Sequence, residues 1–484
     1  MLSLVVLACG SSSPGRLAEA PVAPAGAGAG REPPVLVVML DAVPWEVMSE
    51  ARRRGLFAEL HPPVPVVSSF PSTTTVSLAG TFVPLGMRRP PGYEARFFDW
   101  QQARVRGGGP ISYNRIDTYW ADFFDWHVEN PIRKGFGFLR PLRFARWEMQ
   151  RGLERFLASG EPVFLTYVSA TDGAAHLHGP DELLELLAAL DELLAAARQR
   201  RDFVTVLFSD HGIEGSPAAS ATDASTRNES RPPPLQNVRT AIAAALGQAG
   251  YRLGDRLRQP GDVVWVRYGL LTSAVLFTAP GDESQVARTV AAVPGVDLCA
   301  ARDRAAERWP VFADGSEAVV ERRDVDGSAV ELRLRGDSSV LGEELPAERW
   351  LSPAEWLRAS WSAALPDAPY RIVRAFDLVD NAASVVCSLA PPAMVGSALT
   401  DWSGRLTVGP LRWTHGSLRR DASLGVVATD HPGWNDPDQR PQVLRHDEVL
   451  ERLLPDEWRR QEGDGGPGGG PQGEPHPEHV GSGS

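Results

Sequence analysis

Three apolar runs along the chain carry no polar alternation: VLVVML at 35–40, VFLTYVS at 163–169 and FVTVLFS at 203–209. Unbroken apolar runs of this length predict strands buried on both faces. Between them the pattern changes period. Residues 44–55 read as a helix. Residues 183–200 repeat apolar positions every three to four residues, with Pro180 and Asp181 as start signals. Strands alternating with helices predict an α/β fold: a mostly parallel central sheet with helices on both faces, in three layers, with insertions.

The rest of the chain is less regular. Val64–Val67 is strand-like, and a helix-like run at 76–79 follows a hydroxyl cluster. The 97–147 stretch gathers Trp100, Trp120, Trp126 and Trp147 among many Phe and Arg residues. It reads as a satellite core under a long excursion, with a cap shaping a substrate pocket as the alternative. A polar loop holding the Asn228 sequon fills 215–234, and a helix follows at 238–247. Short β-rich runs then occupy about 271–340, with Asp326-Gly327 as a hairpin signal. A strand at 383–389 and another before Thr414 are expected to return the chain to the central sheet.

The two ends cannot join a core. Residues 1–34 combine MLSLVVLA, then Cys9, then a Ser/Pro/Ala/Gly stretch. Val6-Leu7-Ala8-Cys9 resembles a lipobox, which makes Cys9 a lipid attachment site and the following stretch a tether. That reading implies membrane attachment through Cys9 and a periplasmic or envelope location. Residues 461–484 are rich in Gly, Pro and Glu and read as disordered, with His476 and His479 solvated. The catalytic unit is therefore expected at 35–460.

Composition narrows the partners. The 484 residues hold 49 basic and 61 acidic side chains, a net charge of −12. That balance argues against an electrostatic nucleic-acid binder, which needs a cationic face. The three cysteines, Cys9, Cys299 and Cys387, have no zinc-knuckle or CxxC spacing. Cys299 and Cys387 read as buried small hydrophobes, with a disulfide between them as the alternative.

The chemistry gathers at strand ends. Asp41, Asp172 and Asp210 each follow one of the buried runs, so all three should converge on the carboxyl edge of the sheet. His176 stands four residues after Asp172, and His211 directly after Asp210. One such Asp would be an ordinary helix cap. Three crowded carboxylates repel one another unless cations lie between them. Carboxylate and imidazole together suit zinc or a similar divalent ion. The cluster Ser69-Phe70-Pro71-Ser72-Thr73-Thr74-Thr75 could place one hydroxyl at a helix N-terminus, where an alkoxide and an anion are both favoured.

These residues carry a resemblance. The chain resembles the alkaline phosphatase superfamily, in the branch of type I phosphodiesterases and nucleotide pyrophosphatases. The motifs are LVVMLDAVPW with Asp41, FPSTT at 70–74, Tyr167 and Asp172 with His176, Gly179 and Pro180, SDHG at 209–212, and THGSL at 414–418 with Arg420. They stand in family order. The resemblance implies an alkaline-phosphatase-like three-layer sandwich. It also implies two zinc groups, one of Asp41, Asp210, His211 and the nucleophile Thr74, the other of Asp172, His176 and His415. His415 is singled out by the resemblance alone. His178 competes locally with His176, and Thr73 with Thr74. The Asp-x3-His spacing favours His176, and the fourth position after Phe70 favours Thr74. Relatives often carry Gly-x-x-P-x-x-His-Gly and then an Asn that touches the phosphoryl oxygen. This chain has Gly80, Pro84 and Gly86 without that His, and Pro91-Gly92-Tyr93 at the expected turn. Tyr93 and Asn114 stand as substitutes for the oxyanion donor.

The function expected is a two-metal hydrolase of small phosphate esters, of phosphodiesterase or nucleotide pyrophosphatase type, working through a phospho-threonine. A phosphomonoesterase or phospho-group transferase on the same fold is the alternative. A sulfatase lacks its C/S-x-P-x-R motif here. A lipid-anchored binding protein with a degenerate site is the non-enzyme alternative.

Overall fold

A computed structural model describes residues 33–454, except 108–119, 130–139, 216–231, 267–268, 304–305, 326, 328, 343–344 and 397–410. Cys9, Asn114, Asn228, His476 and His479 lie outside the described residues. No described helix is long and apolar enough to cross a membrane.

The first half of the chain runs β1 (Val35–Leu40), α1 (Trp45–Arg53), β2 (Val64–Val67), α2 (Thr74–Phe82), β3 (Arg96–Asp99) and β4 (Arg104–Gly107). It continues with α3 (Pro141–Ala158), β5 (Val163–Val168), α4 (Ala170–His178), α5 (Pro180–Arg198), β6 (Val204–Phe208) and α6 (Arg239–Gln248). Then follow β7 (Arg252–Gly254), β8 (Asp262–Val266), β9 (Ser273–Thr278), α7 (Glu283–Ala291), β10 (Val296–Ala301), β11 (Arg308–Ala313), β12 (Ser316–Val325) and β13 (Ala329–Gly336). The chain closes with α8 (Pro353–Ser360), α9 (Ala368–Ala375), β14 (Val385–Leu389), β15 (Leu424–Thr429), β16 (Leu444–Arg445) and α10 (His446–Leu453).

The central sheet has the order β16-β2-β15-β6-β1-β5. β1 pairs in parallel with both β5 and β6, and only β15 runs antiparallel to its neighbours. The predicted strands are buried along their whole length in β1 and β5. Leu36, Val38 and Leu40 of β1 pack against α1, α3 and α5. Val35, Val37 and Met39 face the opposite way, against α2 and α10. Alternate side chains of one strand thus feed two cores, which makes the predicted three-layer α/β sandwich.

A second, mostly antiparallel sheet has the order β13-β12-β11-β10-β14-β9-β8-β7. It spans more chain than the predicted 271–340 and holds two cores of its own, one against α6 and α7 and one against α8 and α9. The 383–389 strand belongs here, as β14 between β10 and β9, and does not return to the central sheet. VVCSL is buried along its length, so its pattern fits a doubly covered strand in either sheet. The returning strand is β15, just after the 414–418 turn. β12 and β13 form the predicted hairpin around Gly327, whose φ is +72°.

Two further expectations are corrected. Cys299 and Cys387 are not separate thiols. They face each other across β10 and β14 and form a disulfide. Among the described residues, the 97–147 stretch does not build one satellite core. Trp100 packs on Phe98 and Phe277 in the second sheet's core, Trp120 stacks edge-on to Tyr167, and Trp126 meets Trp147 over α3. The described tryptophans of this stretch join three different cores, and aromatic density alone does not distinguish that from a local cluster.

Candidate metal centre and nucleophile

Chain reversals after β1, β5 and β6 bring the acidic residues to one edge. Asp41 follows β1 directly. The next residue, Ala42, takes φ +57°, which turns the chain sharply so that its N–H reaches Asp210 Oδ1 at 3.1 Å. A left-handed alanine costs about 1 kcal/mol, so this turn is held by its partners: the Val43 N–H also reaches Ser209 Oγ at 2.9 Å. Asp172 lies in the first turn of α4, and His176 stands one turn later on the same face. Gly212 is required after His211, because a Cβ there would lie 2.1 Å from the Asp421 carbonyl.

The structure brings the seven residues together in two adjoining groups. Ligand-type atoms of Asp41, Asp210 and His211 lie within 4.8 Å of one another, and so do those of Asp172, His176 and His415. His211 Nε2 is 3.6 Å from Asp41 Oδ1 and 3.4 Å from Asp210 Oδ2. Asp172 Oδ1 lies 3.3 Å from His176 Nε2 and 3.5 Å from His415 Nε2. The His211 and His415 rings stack at 4.0 Å, joining the groups. Thr74 opens α2, and its Oγ1 donates to Asp41 Oδ1 at 3.3 Å. Thr73 is the N-cap residue instead. His178 faces away, 3.8 Å from Glu182 and one-third exposed.

Each imidazole is oriented from behind. Nδ1 of His176 meets the Trp413 carbonyl at 2.9 Å, that of His211 the Gly212 carbonyl at 2.9 Å, and that of His415 the Ser72 carbonyl at 2.8 Å. A carbonyl only accepts, so Nδ1 carries the proton and the Nε2 lone pair faces the carboxylates.

Burial sets the charges. It pushes the Asp41 carboxyl well above its usual range, aided by Asp210 and Asp172, and pushes Asp210 up to about 7. Burial would raise Asp172 as well, but His176, His415 and His211 together hold it below the ordinary range. Burial lowers His415 to about 4 and His211 well below its usual value. For His176 the negative charge of Asp172 outweighs burial and raises it. Asp172 Oδ1, Asp210 Oδ2 and His211 Nε2 are buried without a hydrogen-bond partner. Orphaned acceptors of this kind, aimed at one another, are costly unless a cation joins them. The oxygen and imidazole donor set therefore fits divalent ions such as zinc.

The Tyr167 hydroxyl, from the motif that also holds Asp172, donates to Asp41 Oδ2. Glu94 had no sequence signal. It lies in the cleft beside Thr73, and burial, with the Asp172 charge, raises it to about 8. Tyr93 is not the oxyanion donor: its hydroxyl donates to the Ala375 carbonyl and accepts from the Ala383 N–H. The tyrosine is buried in the second sheet's core, which a turn-like Pro-Gly-Tyr does not reveal.

No family model matches the chain, and no curated protein matches it. Among solved structures it is similar to the phosphonoacetate hydrolase of Sinorhizobium meliloti 1021 in complex with phosphonoformate, with a TM-score of 0.44 and 12% identity over 86% of this chain and 94% of that one. The same hydrolase in complex with phosphonoacetate gives a TM-score of 0.45, with the same identity and coverage.

Proposed function

We propose that this chain is a metal-dependent hydrolase of phosphate esters, of the phosphodiesterase and nucleotide pyrophosphatase type within the alkaline phosphatase superfamily, with Thr74 as its nucleophile. One observation carries the reading: the Thr74 hydroxyl, at a helix N-terminus, touches Asp41 where two groups of carboxylate and imidazole ligands adjoin. Asp41, Thr74, Asp210 and His211 would hold one ion, and Asp172, His176 and His415 the other. Two such ions, zinc by donor chemistry, supply Lewis-acid polarisation and offset the charge of the phosphoryl group.

The chain's own residues do the rest. Free N–H groups in the first turn of α2 favour the anionic phosphoryl oxygens. Thr74 loses its hydroxyl proton to solvent and forms the Oγ–P bond, while the P–O bond to the leaving group breaks and that oxygen gains a proton. Water then attacks phosphorus, the Oγ–P bond breaks, and Thr74 recovers its proton. A cleft runs from Thr73 past Glu94 to Phe97, Trp265, Val275 and Phe277. Its largely apolar wall suits the organic group of an ester. The Cys299–Cys387 disulfide supports an oxidising compartment, in keeping with an envelope enzyme tethered through Cys9.

Two experiments test this reading. On the zinc-loaded protein, kcat/KM for bis-p-nitrophenyl phosphate should exceed that for p-nitrophenyl phosphate by at least about tenfold, equivalent to 1.4 kcal/mol. A reversed preference would favour the phosphomonoesterase alternative. Metal analysis of two variants tests the ligand set. His176→Ala should drop from two zinc ions to one per chain, and His178→Ala should keep both. The opposite pattern would move the ligand to His178.

A further inference from the structure

Arg371, on α9, is among the largest fully buried side chains, 2% exposed. Among the described residues no carboxylate lies within ion-pairing distance of it. Asp367, which acts on it electrostatically, is held by both Nε and Nη2 of Arg445, at 2.6 and 3.0 Å. The Arg371 guanidinium instead donates to neutral oxygens. Nη1 reaches the Pro366 carbonyl at 3.1 Å and the Leu418 carbonyl at 2.9 Å, and Nη2 reaches Ser72 Oγ at 2.9 Å. A buried guanidinium with only neutral partners is expensive, so its placement calls for a purpose beyond packing.

Its partners supply one. Ser72 precedes the nucleophile by two residues, and Leu418 follows His415 by three. The two segments are already stitched together at Ser72. Its N–H donates to the Gly416 carbonyl at 3.2 Å, its carbonyl accepts the His415 Nδ1 proton at 2.8 Å, and its Oγ donates to the Ser417 carbonyl at 2.8 Å. Gly416, with φ +119°, makes the turn that allows this approach. The planar fork of Arg371 spans both segments from behind, a geometry that a lysine cannot reproduce.

We propose that Arg371 is a positioning residue that locks the Thr74 loop to the His415 loop, and so fixes the imidazole of His415 and the entry of α2 as one unit. The inference rests on the proposed role of those two residues. It implies that the nucleophile and the second metal group lose their alignment together when the fork is lost.

The test compares Arg371→Lys with Arg445→Lys, which perturbs the same helix through Asp367 but does not touch either loop. Proton NMR of the metal-free protein follows the His415 Nδ1 proton. It should exchange slowly in wild type and in Arg445→Lys, and at least tenfold faster in Arg371→Lys. Zinc titration should show the second site weakened at least tenfold in Arg371→Lys only, with kcat reduced and KM little changed. Equal exchange rates in Arg371→Lys and wild type would overturn the proposal. So would an equal loss in both variants, since that is helix destabilisation alone. The exchange readout needs no metal or turnover, so the proposal and the enzymatic reading fail separately.

Discussion

Replacing Thr74 with alanine should lower phosphodiester turnover by at least about a thousandfold, because the bond-forming oxygen is removed. The fold should tolerate the change. Thr74 is the first residue of α2 and not its cap, and alanine is the best helix former. The other six ligand residues remain, so metal content should stay near two ions per chain. Thr73→Ala is the matched control, since Thr73 carries the neighbouring hydroxyl and lines the cleft. Its loss should cost no more than about tenfold, or 1.4 kcal/mol. Steady-state kinetics with metal analysis on both variants checks this. A thousandfold loss in Thr73→Ala alone would reassign the nucleophile.

Removing the metal should have the next largest effect. Chelation should abolish turnover, and zinc should restore it. It should also lower stability, since each ion bound at a thousand times its dissociation constant contributes about 4 kcal/mol. The metal-free protein should show a characteristic pH dependence. Asp210 is raised to about 7 in the folded chain, while the unfolded chain releases that proton near 3.8. The folded state therefore holds that proton longer, so the Asp210 contribution to apo stability falls as pH rises from about 4 through 7. His415 and His211, lowered by burial, contribute in the opposite sense. The stability of apo wild type relative to apo Asp210→Asn isolates the Asp210 part and should fall over that range. Bound zinc should remove that slope by offsetting the carboxylate charge. Thermal melts across this pH range, with and without zinc, provide the measurement. An apo wild-type protein that gains stability relative to apo Asp210→Asn over the same range would contradict the electrostatics described for Asp210.

Much of the centre was legible because it sits where regular structure ends. The buried runs at β1, β5 and β6 have an unmistakable period, and in a parallel sheet the residues that follow them share one edge. Asp41, Asp172 and Asp210 could be placed together from that alone. His176 followed from helical spacing, and the Thr74 loop from a hydroxyl cluster before a helix, in which the motif position after Phe70 picked out Thr74. His415 could not be found this way. It lies in a turn between sheets, with no period to fix its direction, and only the order of motifs singled it out. Arg371 was wholly hidden: an arginine on a short amphipathic helix reads as solvated, and nothing local shows that both loops wrap over it. The same holds for β14, whose apolar pattern fits either sheet. Pairing partners far apart in sequence, such as Cys299 and Cys387, are decided by topology that pattern does not carry.

The central claim is that Thr74 forms a covalent bond to phosphorus during turnover. Acid quenching of the zinc-loaded protein during turnover of bis-p-nitrophenyl phosphate, followed by peptide mass analysis, tests it most directly. The account predicts a stable phosphorylated adduct on the peptide containing Thr74, localised to that residue and absent from Thr74→Ala. Sustained turnover by Thr74→Ala, with no adduct on Thr74 in the wild type, would contradict it.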